Sequence, residues 1–470
     1  MSKPDSAFQV FKLESSWIFK ESKRLDASFY AEDVIAARVL LDNIQKHGFK
    51  IDCVRDLADD VYWPGRFKRR YVSRDVGDPF LMPSEAIMFV PLAKKFVINY
   101  PENVAVKKDW LLITRSGTVG RCLLVTELLK NYVLSDDLVR IIPTNVDNAS
   151  YLYAYLNTPI GQAFLTKDQY GSTVKHIEPH HVASIPVPRI PEVEHEISKQ
   201  VLEAHRLREA AQELFLRANE MLYSELGLPQ IDDSDVEYFG SEEGRIIKSF
   251  RIKASQLNLR LDASYHLPIL KLIDSYLASI NIDVRLLGNK LESIFIPPRF
   301  KRPYVKNPSN GTRYIRPSDL LLIKYFEYKY LANRFDNCDL YRLQEGDVLV
   351  VTDGTIGWLS IVTPVTVGWY GSNNFARLIP GEGLDKGYLL AYLSSPYGQY
   401  QLKREIFGGV IDHLTEEQIC NVKIPLPAMT VQQKIGSLIM KAYTSRDEAS
   451  QLEDEAVKFL GEKLKELDAR

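Results

Sequence analysis

Apolar residues recur at steps of three and four between Pro191 and Leu226, with Ile197, Val201, Ala204, Leu207, Ala211, Leu214, Ala218 and Met221 forming one stripe. Glu, Lys, Arg and Gln fill the positions between them, and the interior holds no Gly or Pro. The spacing predicts one helix over the whole span, roughly 50 Å long at about 1.5 Å per residue. A stripe this narrow does not hold so long a helix by propensity alone, so a partner surface is required. From Thr430 to Leu467 the pattern returns in Ile435, Leu438, Ala442, Ala449, Leu452, Ala456, Phe459 and Leu464. Two such rods in one chain can pair as a coiled-coil spacer, or each can pack on its own domain.

Shorter periods surround the rods. DWLLITRSGTVGRCLLV at 109–125 and GDVLVVTDGTIGWLSIV at 346–362 are apolar, β-branched runs interrupted by a Gly-x-x-Gly turn, which predicts a hairpin in each place. No Gly-Lys-Ser/Thr follows either turn, so neither reads as a nucleotide-binding loop. The two runs are also copies of each other. RLDASFY at 24–30 returns as RLDASYH at 260–266, FKRRYV at 67–72 as FKRPYV at 300–305, and Pro83-Ser84-Glu85 as Pro317-Ser318-Asp319. SGTVG at 116–120 matches DGTIG at 353–357, and DDLVRIIP at 136–143 matches NNFARLIP at 373–380. YLYAYLNTPIGQAFL at 151–165 matches YLLAYLSSPYGQYQL at 388–402, and IPVP at 185–188 matches IPLP at 424–427, just ahead of the two rods. All these offsets lie between 233 and 239 residues, half of a 470-residue chain. The chain is therefore written twice.

The repeat divides the chain into 1–190 and 245–428, two similar α/β (α+β) domains, each followed by a long helix at 191–226 or 429–470. Residues 227–244, containing IDDSDVEYFGSEEG, read as an acidic linker. Between matched blocks, segments 73–108 and 306–346 share almost no letters, so one scaffold carries two different surfaces. His176 and His413 sit in equivalent loops, GSTVKHIEP and GGVIDHLTE. They read as packed or capping histidines, since no Ser/Asp triad partner recurs beside them.

Composition narrows the classes. No run of eighteen apolar residues exists to span a bilayer, and the first residues lack the pattern of a signal peptide, so a cytoplasmic protein is expected. The four cysteines are scattered singly, which suggests neither a disulfide framework nor a zinc site. Fifty-nine Lys and Arg against sixty-one Asp and Glu leave a formal charge of −2, which excludes a wholly basic surface but not local basic grooves.

Such clusters stand just ahead of each divergent segment. Arg66, Lys68, Arg69 and Arg70, with Arg74 beyond them, lie among Trp63, Phe67 and Tyr71. Arg299, Lys301, Arg302 and Lys306, with Arg313 beyond them, lie among Phe300 and Tyr304. Cations in a short loop suit phosphates, and Arg also reaches a guanine edge in bidentate fashion. The bland reading of either cluster is a solvated loop with aromatic anchors; recurrence at matched positions beside variable surfaces favours DNA contact. Neither a methyltransferase tetrapeptide of the Asn/Asp-Pro-Pro-Tyr/Phe type, nor a nuclease carboxylate set, nor a Walker pair accompanies them.

Two variable domains alternate with two helical rods. Each domain ends in a GSTVKHI or GGVIDHL loop, then IPVP or IPLP, then a helix beginning VEHEI or VQQKI. This arrangement resembles the DNA-specificity (S) subunits of Type I restriction-modification systems over nearly the whole chain. The resemblance implies a non-catalytic subunit whose target-recognition domains each read one half of a split double-stranded DNA site. It implies rods that pair as an antiparallel coiled coil, set the gap between half-sites and dock two modification subunits. Those subunits would bind S-adenosylmethionine and methylate adenine; restriction subunits would add nuclease and motor, and this chain would carry no cofactor. The rival expectations are a related methyl-only or bifunctional system, and a protein-binding scaffold of two tandem α/β modules.

Overall fold

The computed structural model describes residues 15, 18, 27–169, 175–231, 235–236, 249–257, 260–407 and 412–469. Most of the expected acidic linker, the start of the first RLDAS block and parts of both histidine loops lie outside them. The chain forms two compact units: 1–87, 91–209 and 449–470 in the first, 88–90 and 210–448 in the second. Among the described residues no helix is long and apolar enough to cross a membrane.

In the first unit, β1 (Ile51–Cys53), β2 (Ala58–Tyr62), β3 (Arg70–Val72), β4 (Asp78–Leu81) and β5 (Lys95–Ile98) precede β6 (Leu111–Thr114), β7 (Cys122–Leu124), β8 (Val133–Leu134), β9 (Leu138–Pro143) and β10 (Pro186–Pro188). They form an antiparallel sheet in the order β2-β9-β6-β7, a second sheet in the order β3-β5-β4-β8 and a ribbon β1-β10. The hairpin expected at 109–125 is the β6–β7 pair, with Leu111 opposite Leu124. Every residue of β6 is buried, because helices Glu32–Lys46, Val146–Asn157 and Pro159–Lys167 cover the first sheet and share its apolar core. Phe80, Val97, Val104 and Val133 make a smaller core for the second sheet.

The second unit repeats this plan with β11 (Asp283–Leu286), β12 (Leu291–Phe295), β13 (Gly311–Ile315), β14 (Lys329–Ala332), β15 (Val348–Val351), β16 (Leu359–Ile361), β17 (Tyr370–Gly371), β18 (Phe375–Pro380) and β19 (Lys423–Leu426). Its sheets run β12-β18-β15-β16 and β14-β13-β17, with the ribbon β11-β19. The repetition extends into the segments that share almost no letters. Asp78 faces Val97 and Phe80 faces Lys95 on β4–β5. Thr312 faces Leu331 and Tyr314 faces Lys329 on β13–β14, each number higher by 234 (78 to 312, 97 to 331). The counterpart of β3 shrinks to a single bridge, Tyr304 to Leu331. Pro303 stands where the first copy has Arg70 and has no N–H to donate, so its carbonyl alone joins the ladder, accepting from Ala332 N at 2.9 Å.

Matched letters explain the matched scaffold. Tyr151 and Tyr155 donate to the carbonyls of Pro188 and Pro186 at 2.6 and 2.7 Å. Tyr388 and Tyr392 donate to Pro425 and Lys423 at 2.7 and 2.8 Å. The tyrosines of the YLxAYL block thereby fasten each helix to the ribbon strand that leads into a rod. Gln162 and Gln399 donate to the carbonyls of Gly120 and Gly357, tying each PxGQ helix to its hairpin turn. Both glycines have positive φ, +91° and +84°, and a Cβ on Gly357 would come within 2.9 Å of the Gln399 amide.

The rods are helices Pro191–Leu226 and Met429–Asp468, and each is shared between the two units. In the first unit Val193, Ile197 and Val201 join one core with Ala456, Leu460 and Leu464. In the second, Ala218 and Leu222 join Ile435, Ile439 and Tyr443, while Ala211 meets Ala442. In both units rising numbers on one helix meet falling numbers on the other, the pairing of an antiparallel coiled coil. The seam also holds charges that an apolar pattern passes over. Arg208 lies bidentate on Glu453, both buried, with Nη2 to Oε2 at 3.0 Å. Arg446 and Asp447 are buried in the second unit, where the Arg446 guanidinium donates to the Leu320 carbonyl and Asp447 accepts from Thr363. The short 88–90 stretch belongs to that unit too: Phe89 is buried against Phe215 and Tyr443, and the Gln212 amide donates to its carbonyl at 2.6 Å.

Candidate nucleic-acid interface

Phe67 packs on the small core of the second sheet, and its matched partner Phe300 packs on Phe335 and Tyr341. The residues that follow these inward aromatics, Lys68 and Lys301, are exposed. The following arginine is drawn inward in both copies. Arg69 pairs with the buried Asp136 at 2.5 Å and lies 5.2 Å from the Phe80 ring centroid. Burial opposes its charge most strongly, but the hydrogen bond and charge of Asp136, with a smaller share from the Tyr71 hydroxyl, together exceed burial and raise its pKa. Arg302 donates to the Tyr314 hydroxyl at 2.7 Å and to Asn373 Oδ1 at 2.8 Å. Asp136 and Asn373 are the first letters of the matched DDLVRIIP and NNFARLIP blocks. Of the ten cations picked out from the sequence, Arg69 and Arg302 are thus engaged inside their own domains.

The rest divide by exposure. Arg66, Lys68, Arg70 and Arg74 are exposed in the first unit, and Arg299, Lys301 and Lys306 in the second. Arg313, on β13, is partly covered, with its guanidinium 3.9 Å from the Tyr328 ring centroid and 5.0 Å from that of Trp369. Two further matched groups reach the surface beside them. Tyr71 on β3 and Tyr304 at the bridge that replaces it, expected only as aromatics within the clusters, remain 46% and 55% exposed. Lys95 and Lys329 occupy the same register position on β5 and β14, which no run of shared letters announces.

The histidine loops need one correction. A partner does recur beside each ring: His176 Nδ1 lies 2.7 Å from Ser116 Oγ, and His413 Nδ1 lies 2.5 Å from Asp353 Oδ1. Ser116 and Asp353 open the matched SGTVG and DGTIG turns, sixty residues away in sequence but adjacent once the loop bridges to the hairpin. In the first copy Ser116 donates to Asp137, so the carboxylate is bonded to the hydroxyl; in the second the hydroxyl is replaced by a carboxylate. This order is not that of a nucleophilic triad, and both histidines tie loop to turn.

Residues 294–456 match the family model described as Type I restriction modification DNA specificity domain. No curated protein matches the chain in sequence. Among solved structures, the Type I restriction-modification S subunit from M. genitalium aligns over 90% of this chain and 96% of its own at 10% identity and TM-score 0.38. The HsdS subunit from Thermoanaerobacter tengcongensis aligns over 89% and 96% at 14% identity and TM-score 0.28. The assignment does not rest on likenesses this distant. It rests on the specificity domain matched over 294–456 and on the first half's repetition of its sequence blocks, strand order and register. On these grounds the second half of the chain carries a Type I restriction modification DNA specificity domain, and the first half repeats its scaffold.

Proposed function

We propose that each unit reads one half of a bipartite duplex target and that the chain itself performs no chemistry. The duplication carries this reading: one scaffold, kept to the register of individual strand pairs, presents largely different residues over 73–108 and 306–346. Two readers of different half-sites need different base-contacting side chains on equal frames. Exposed Arg66, Lys68, Arg70, Arg74, Arg299, Lys301 and Lys306 supply backbone contacts, while Arg69 and Arg302 brace the loops that carry them. Arg313 lies inside the second divergent segment and contributes to base reading. Two modification subunits bring S-adenosylmethionine and methylate adenine, and restriction subunits join where the system cleaves.

Exchange of segment 73–108 for that of a relative with another target tests the reading, with methylated motifs sequenced in a host that supplies the modification subunits. One half of the motif should change and the other stay. Change in both halves, or in neither, would refute a one-domain, one-half-site code. The purified chain given S-adenosylmethionine and DNA should transfer no methyl group until a modification subunit is added; activity from the chain alone would show it to be an enzyme.

A further inference from the structure

The outward residues that are identical in the two copies have a different task from those that differ. Inward identities are accounted for by the scaffold: Phe67 and Phe300 fill cores, Arg69 and Arg302 brace, and the glutamines and tyrosines fasten helices. Tyr71 and Tyr304 are only half explained in this way. The inner edge of each ring meets the residue at the matched core position, Phe80 at 6.3 Å or Tyr314 at 6.1 Å between centroids; the Tyr71 hydroxyl also interacts with Arg69, and much of each side chain stays exposed. Lys95 Nζ stands 5.1 Å from the Tyr71 ring centroid; Lys329, at the same register position and paired with the exposed Glu327, adds to the positive field of Arg302 and Arg316 at Tyr304. Burial raises the Tyr304 hydroxyl above the ordinary tyrosine value, so it is a donor at neutral pH.

Side chains that are the same in both domains cannot distinguish two different half-sites. What every half-site shares is the sugar–phosphate backbone. We propose that Tyr71 with Lys95, and Tyr304 with Lys329, form a duplicated phosphate clamp, each hydroxyl and each ammonium holding the backbone while neighbouring residues that differ between copies read bases. The inference rests on the DNA-reading function above and adds to it two tyrosines of the basic clusters and two lysines beyond them.

The test uses the full chain, a short mixed-sequence duplex and a series of KCl concentrations. Tyr71→Phe with Tyr304→Phe keeps both rings and removes both hydroxyls; affinity should fall about fivefold per hydroxyl with the salt slope unchanged. Lys95→Ala with Lys329→Ala should lower the slope of log K against log salt by about 0.9 per lost phosphate contact. Both double variants should melt like the parent, since all four side chains reach the surface. Their methylated motifs, read with modification subunits present, should keep the same letters. Unchanged affinity in either double variant while the parent binds overturns the clamp and leaves the DNA reading standing, as does an altered motif letter. A parent chain that binds no duplex, alone or with modification subunits, overturns both.

Discussion

At the scale of single residues, the matched arginines separate bracing from binding. Asp136 is buried and charged, so Arg69→Ala strands a carboxylate away from water and should cost about 2–3 kcal/mol of unfolding free energy. Asn373 is neutral, so Arg302→Ala should cost only about 1 kcal/mol. Lys68→Ala, on an exposed side chain, should change stability by less than about 0.5 kcal/mol while weakening duplex binding. Urea unfolding of the three variants measures this order, and equal losses for Arg69→Ala and Lys68→Ala would show that Arg69 does not brace the loop. From letters alone the ten cations look alike. Which of them turn inward depends on Asp136 and Asn373, some seventy residues downstream.

At the scale of elements, the hairpins, the YLxAYL helices and both rods were legible because each carries its own period, two or 3.6, over enough residues to be distinctive. The charges in the rod seam were not. Arg208 and Glu453 fall on the buried face, yet a stripe drawn through apolar letters leaves them outside it. Arg208→Met should cost about 3–5 kcal/mol by leaving Glu453 buried without its partner. Tyr153 interacts with Glu453, so Glu453→Gln is the suitable compensating change, because it removes the charge and keeps an acceptor. Arg208→Met with Glu453→Gln should recover at least half of the loss; thermal melting that shows simple additivity would exclude a coupled pair.

At the scale of the molecule, the proposal that the paired helices set the gap between half-sites makes a prediction about length. Four residues inserted into both rods, at Ala211 and at the facing Ala442, add about 6 Å and nearly preserve the phase of the stripe. The preferred gap should grow by one or two base pairs, at about 3.4 Å per base pair along each strand, with the half-site letters unchanged. Two-residue insertions rotate the stripe by about 200° and should abolish methylation by unpairing the helices. Methylome sequencing of both variants checks this, and an unaltered gap in an active four-residue variant would remove the helices from that role.

The sequence by itself determined the duplication, the fold class, both long helices and the hairpins, because all of these follow from periodicity and from ordered blocks that one chain can be compared with itself to find. Only the tertiary structure decided the rest. It showed that 73–108 and 306–346, nearly without common letters, hold the same strand register, since backbone hydrogen bonds set that register and tolerate any side chain that fits the pleat. It placed Ser116 against His176 and Asp353 against His413, contacts that close over sixty residues and leave no local pattern. It also divided the basic clusters into cations that face solvent and cations held by partners inside the domain, because the direction of a side chain is set by what the distant chain brings beside it.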